Sequence, residues 1–263
     1  MPAAKKRLFL LGFLCGAVFL LMTAGCLYAD SYYPNSGVDT TDDAFPLTPH
    51  STQWMIDYEW DQYIDASPMG MPVFEWKYGI SDRLDCGIQV PYLMAPCAQP
   101  DSVYGFTDIG FGFKYLWTPV KPGRIMVATI ASCKPQTTDS ESYLGSGATD
   151  YDAHLVLSYV KEPFRYHLNY GYTFWGELPG IPQVPSPFYK AKIDYTMSPQ
   201  FSWSAEVYGE DSQNPDFFLS TLQSTIKTTW QVNSKLALDF GMAFGLNTQS
   251  PLRRYLFSIT YGP

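Results

Sequence analysis

Charge is scarce in this chain. Lys, Arg, Asp and Glu make up 16% of its 263 residues, against about 25% in an ordinary soluble domain. Histidine is scarcer, with His50, His154 and His167 far apart in sequence. No Cys or His pair has metal-ligand spacing, so no metal site is expected. No cofactor fingerprint occurs either: Gly110 and Gly112 alternate within an apolar pattern rather than opening a helix as a phosphate loop would. Beyond residue 29 there is no second long apolar run and no 3.6-residue period, which excludes a helical membrane protein and a helical bundle. Basic residues are also short, at 17 against 25 acids, which argues against a nucleic-acid partner.

Aromatic residues, by contrast, are abundant at 17%, yet the mean hydropathy is only −0.12. A β-barrel in a membrane accounts for both, because polar lumen positions cancel lipid-facing ones in the average.

The N-terminus has the form of an export signal. Lys5, Lys6 and Arg7 precede the apolar stretch 8–24. Leu27-Tyr28-Ala29 suits ordinary signal peptidase, giving a signal peptide over 1–29 and a mature start at Asp30. The alternative is Thr23-Ala24-Gly25-Cys26, which has the form of a lipobox and would make Cys26 the lipidated first residue. Ordinary cleavage removes three bases and no acid, taking the formal charge from −8 to −11. Cys86, Cys97 and Cys133 then remain, an odd number that rules out a full disulfide framework. Cys97 and Cys133 fall at strand–loop junctions and could pair. Residues 30–50 are polar and aperiodic, and are taken as a periplasmic lead-in; an inserted plug is the alternative.

From residue 51 to 263 strand patterns follow one another. Trp54, Ile56, Tyr58 and Trp60 alternate with Met55, Asp57, Glu59 and Asp61; Ile109, Phe111, Phe113 and Tyr115 alternate with Asp108, Gly110, Gly112 and Lys114. Period-two alternation means strands with one apolar face. Twelve such strands can be counted up to Tyr261, an even number, as a single-chain bacterial barrel requires. Only 125–133 is apolar throughout, so its facing stays unassigned. Every second connection is short. That rhythm fits short periplasmic turns and longer external loops. The expectation is an all-β, antiparallel transmembrane barrel of about twelve strands.

The stretch YGISDRLD followed by the strand DIGFGFKY, carried by Tyr78, Gly79, Asp82, Arg83, Leu84 and Asp85 and then by Asp108, Gly112, Lys114 and Tyr115, resembles an outer-membrane transporter family associated with the phenol meta-cleavage degradation pathway. The resemblance covers mainly residues 50–135. It implies a bacterial outer-membrane barrel that passes small organic molecules, and it brings no catalytic residues.

Alternation places charges of both signs on the lumen side. The acids are Glu75, Asp85, Asp108, Asp152, Asp194, Glu206 and Asp239. The bases are Lys77, Lys114, Lys190, Lys192 and Arg254. They form either a polar solute path or an ion-pair network that plugs the barrel. A hydrolase would need Ser and His in reach of each other and of a third group. Along single strands only His154 with Ser158, and His167 with Asn169, share a face, and each pair stands too far apart along its strand. The expectation is a channel or transporter, not an enzyme. Its partners would be outer-membrane lipids, a small-molecule solute and, during biogenesis, the barrel-assembly machinery. A closed structural or adhesive barrel, or a lipid-modifying enzyme, are the alternatives.

Overall fold

The computed structural model describes residues 42–62, 69–95, 103–138, 144–145, 147–176, 185–211, 221–247 and 250–262. The signal peptide, Cys26, residues 30–41 of the lead-in and Cys97 lie outside the described residues.

Thirteen strand segments follow in chain order. They are β1 (Thr52–Gln62), β2 (Met69–Gly79), β3 (Leu84–Ala95), β4 (Val103–Phe106), β5 (Gly110–Leu116), β6 (Ile125–Lys134) and β7 (Asp150–Lys161). Then come β8 (Phe164–Phe174), β9 (Ser186–Ser198), β10 (Phe201–Glu210), β11 (Thr221–Gln231), β12 (Leu236–Gly245) and β13 (Arg253–Tyr261). Each pairs antiparallel with its neighbours, and β1 pairs with both β2 and β13. The sheet therefore closes and leaves no long edge to aggregate. β4 and β5 both pair with β3 and are two halves of one wall strand, so the barrel is twelve-stranded.

The break between β4 and β5 departs from the sequence pattern, which ran a strand through Asp108. It lies opposite Val90 and Pro91 of β3, between the pairs Gln89↔Gly110 and Tyr92↔Phe106. Pro91 has no N–H to give to a ladder. Its carbonyl accepts the Thr107 N–H at 3.0 Å instead. Asp108 leaves the strand and caps the chain beyond β6, accepting the backbone N–H groups of Thr137 at 2.7 Å and Thr138 at 3.0 Å.

The wall is apolar outside and polar inside, the reverse of a soluble domain. Leu168 is 55% exposed and Trp203 54%, whereas Glu59 is 3% exposed. In β6 the uniform apolar run is resolved by burial: Ile125 faces out, while Met126 and Ala128 are fully buried inside. They join Leu116, Val156 and Val160 in an apolar cluster within the barrel, at the end where β5–β6 and β7–β8 turn. Ala44 completes that cluster, and Phe45 packs on it. Part of the lead-in is therefore inside the lumen.

The lumen and the segment that crosses it

Residues 42–48 cross the lumen as a chord between two parts of the wall. At one end Gly79, the last residue of β2, passes so close to Thr48 that a Cβ there would stand 2.3 Å from the Thr48 carbonyl oxygen. Only glycine fits such an approach. The Gly79 carbonyl accepts the His50 N–H at 2.7 Å, and its own N–H donates to Ser51 at 3.1 Å. His50, with φ of 62°, turns the chain there. Asp85 on β3 accepts the Leu47 N–H with its two oxygens at 3.0 and 3.1 Å. Lys114 on β5 donates to the Phe45 carbonyl and lies 3.5 Å from Asp85 and 3.6 Å from Asp43. Gly79, Asp85 and Lys114 are three of the residues on which the family resemblance rests. In the fold they share one task, holding this segment.

The other end docks on β7 and β8. The Asp42 N–H donates to Asn169 Oδ1 at 2.8 Å, and Asn169 Nδ2 donates back to the Asp42 carbonyl at 3.0 Å. His154 Nε2 meets Asp42 Oδ2 at 3.1 Å. Burial raises the Asp42 carboxyl, but the His154 hydrogen bond and the charges of Lys190, His154 and Lys77 outweigh it and hold the group well below the usual carboxylate range.

Between these ends the Ala44 N–H donates to Ser158 Oγ at 2.9 Å. Ser158 Oγ lies 2.8 Å from His167 Nδ1, and His167 Nε2 lies 3.0 Å from Asp194 Oδ2. His167 thus bridges Ser158 on β7 to Asp194 on β9 through its two ring nitrogens. The sequence pairings of His154 with Ser158 and His167 with Asn169 are corrected here: serine meets histidine across β7–β8, not along a strand. The two-residue turn 162–163 sets that register, Ser158↔His167, and was the signal that could have found it. Serine, histidine and aspartate stand in the order of a nucleophile chain. Here the serine oxygen is occupied by a backbone N–H, and Ser158 and His167 are 1% and 2% exposed. The arrangement fixes Ala44.

The other charges chosen from the sequence are spread around the wall rather than gathered at one point. Glu75 pairs with Lys77 at 3.1 Å and accepts Gln89 Nε2 at 3.1 Å. Asp152 accepts the Thr173 hydroxyl at 2.8 Å, and Asp239 accepts that of Thr229. Lys190 lies over the rings of Phe188 and Tyr208, at 5.5 and 5.8 Å. Lys192 is 3.8 Å from Asp194, and buried Glu206 stands opposite Lys192 in the ladder. Arg254 grips Asp61 with two bonds of 2.6 and 2.8 Å and reaches Glu59 at 3.5 Å.

Several lumen charges were missed. Asp57, Glu59 and Asp61 occupy the same alternate positions of β1 that the pattern assigned to the inner face. Asp150 pairs with Lys134 at 2.8 Å. Glu210, Lys227 and, from the crossing segment, Asp42 and Asp43 also line the interior. Among these groups a cavity of about 550 Å³ remains, bounded by the crossing segment and by residues such as Glu75, Lys77, Gln89, Asp152 and Lys190.

A closed antiparallel barrel with an apolar exterior and a charged interior has the architecture of outer-membrane barrels. The chain matches the COG4313 outer membrane channel from Pseudomonas putida F1 with a TM-score of 0.70 at 13% identity, covering 86% of this chain and all of that one. It matches the KdgM porin at TM-score 0.55 and 10% identity, over 79% of this chain and 98% of the porin. The NanC porin follows at 0.52 and 9%, over 80% and 97%. At these identities the likeness is one of fold. No protein-family profile matches the chain, and no curated protein matches it in sequence.

Proposed function

We propose that this protein is a channel of the bacterial outer membrane that passes small molecules, with its short turns toward the periplasm and its longer loops outside. Residues 1–29 would direct its export, and the barrel-assembly machinery would insert it among outer-membrane lipids. The observation that carries this is the charged cavity of about 550 Å³ inside a barrel whose exterior suits lipid. Segment 42–48 narrows the interior from one side, and beneath it the apolar cluster around Met126 closes the β5–β7 sector. Solute would then pass through that cavity, whose lining runs from Gln53 and Met55 on β1, by way of Glu75, Asp152 and Lys190, to Lys227 on β11. The KdgM porin has been solved in complex with disordered oligogalacturonate, a precedent for solute within this architecture. The resemblance of residues 50–135 favours small aromatic or apolar solutes.

The same segment and apolar cluster favour a second reading, a structural barrel with a closed lumen. Permeation into proteoliposomes separates the two. Small sugars, amino acids and aromatic acids would be offered to vesicles holding the folded barrel, beside empty vesicles. Selective entry is expected. If no solute enters beyond the empty-vesicle rate, the channel reading fails and the closed barrel stands.

A further inference from the structure

We infer that the short-turn rim of the β2–β8 sector binds anionic phospholipid, with the headgroup phosphate met by Arg83, Lys121, Arg124 and Lys161. Its placement in the periplasmic leaflet rests on the orientation given above; the lipid preference does not.

Three neighbouring turns build this rim. Residues 80–83 join β2 to β3, 117–124 join β5 to β6, and 162–163 join β7 to β8. Backbone hydrogen bonds tie them together. The Arg83 carbonyl accepts the Leu116 N–H at 2.8 Å, the Lys121 carbonyl accepts the Arg124 N–H at 3.2 Å, and the Val160 carbonyl accepts the Gly123 N–H at 3.0 Å. Gly123, with φ of 73°, supplies the left-handed conformation where this turn meets β7. Arg83, Lys121, Arg124 and Lys161 are all exposed along the arc. The acids of the same turns are Asp82 and Glu162, and Glu162 lies 3.8 Å from a further base, Arg165. None of the four arc bases enters an ion pair among the described residues.

This basic arc runs against the rest of the chain, whose formal charge is −8. The sequence joining the strands at the opposite end, 63–68, 96–102, 135–149, 175–185, 211–220 and 246–252, holds acids and no Lys or Arg. The remaining short turns, 199–200 and 232–235, have Lys235 as their one charge. In the joining segments, bases are thus gathered at one end of the barrel and on one side of it.

The outer wall beside the arc favours a whole lipid over a free phosphate ion. Trp117, Val120 and Ile125 are exposed there, with Phe164 and Tyr166 exposed on β8. Trp117 donates its indole N–H to Thr129 Oγ1 at 3.1 Å, which holds the ring on the outer wall. Indole and phenol rings settle at the membrane interface, and Lys and Arg at that level attract anionic headgroups. Acyl chain and phosphate therefore meet adjacent surfaces, whereas inorganic phosphate would use the bases alone.

The test is native mass spectrometry of the folded barrel, released from detergent micelles after titration with phosphatidylglycerol or with phosphatidylcholine of the same chains. The first phosphatidylglycerol should bind at least about fivefold more tightly, the effect of a single base near an anionic headgroup. Lys121→Gln/Arg124→Gln/Lys161→Gln should bring the two lipids close to equal, and Lys235→Gln, on a turn outside the arc, should leave the preference unchanged. Ammonium phosphate should displace the lipid no better than ammonium acetate of the same ionic strength; better displacement means a free-phosphate site and overturns the lipid assignment. Equal binding of the two lipids by the unaltered barrel, or a preference that survives the triple variant, overturns the inference. Orientation is read separately. In a background without other cysteines, Asn233→Cys should react with a bulky maleimide only after the outer membrane is permeabilised. Reaction in intact cells overturns the periplasmic placement and leaves the lipid preference standing.

Discussion

Two sectors of the same barrel wall use the same alternation for opposite ends. In β5–β7 the inward positions near the short turns are Leu116, Met126, Ala128 and Val156, and they pack on Ala44 as a small hydrophobic core. In β1, β12 and β13 the inward positions are Asp57, Glu59, Asp239, Arg254 and Ser258. The first sector excludes water and gives a chain segment something to bind. The second is polar, and Arg254 binds both Asp61 and Glu59 there across β13 and β1. A barrel wall of uniform backbone can thus carry an apolar core on one side and buried ion pairs on the other, by side chains alone.

That contrast can be broken from either side. The largest effect is expected in the acidic sector, at Arg254. Arg254→Met removes the cation facing both Glu59 and Asp61, and breaking a buried pair in this way costs about 3–5 kcal/mol. Urea unfolding of the barrel in lipid vesicles measures it, and an unchanged midpoint would mean that the carboxylates are hydrated there. In the sealed sector, Ser158→Ala strands the Ala44 N–H and His167 Nδ1, a loss of about 1–3 kcal/mol. The same unfolding experiment should show a smaller shift than for Arg254→Met.

Gly79→Ala should act on the segment rather than on the barrel. The new methyl group collides with the Thr48 carbonyl, so segment 42–48 must move while the β2–β3 ladder stays. A nitroxide attached through Pro46→Cys, in a background without other cysteines, would report faster motion in the Gly79→Ala protein. Equal mobility with and without the methyl would show that the Gly79 approach does not hold the segment.

The smallest effect is the response to mild acid. The Asp42 carboxyl is held well below its usual range. A lowered folded value gives stabilisation that is present above the free-chain value and lost as pH falls through the folded one. The segment should therefore keep its grip through the ordinary carboxylate range, about pH 4, and loosen only in stronger acid. The same nitroxide reads this out; release at about pH 5 would mean that His154 and Lys190 do not hold the charge.

The strands were legible because the requirement for them is local. Trp54 and Ile56 outward with Asp57 and Glu59 inward can be seen in four letters. The inward turn of Met126 and Ala128 could not, since both faces of β6 are apolar and alternation carries no contrast there. The break at Asp108 was hidden because it depends on Pro91, which lies opposite only once β3 and β4–β5 are paired. Segment 42–48 was legible only as polar and aperiodic chain. Its place is set by Gly79, Asp85, Lys114, Asn169 and Ser158, which come from five strands.

By itself, then, the sequence determined a barrel with an apolar exterior and a charged interior, because alternation along a strand needs no knowledge of any other strand. Only the tertiary structure decided which charges pair, that Ser158 meets His167, and that one side of the lumen is sealed by the chain's own N-terminal segment. Those outcomes depend on register and closure, which bring together residues more than a hundred positions apart, such as Asp42 and Asn169.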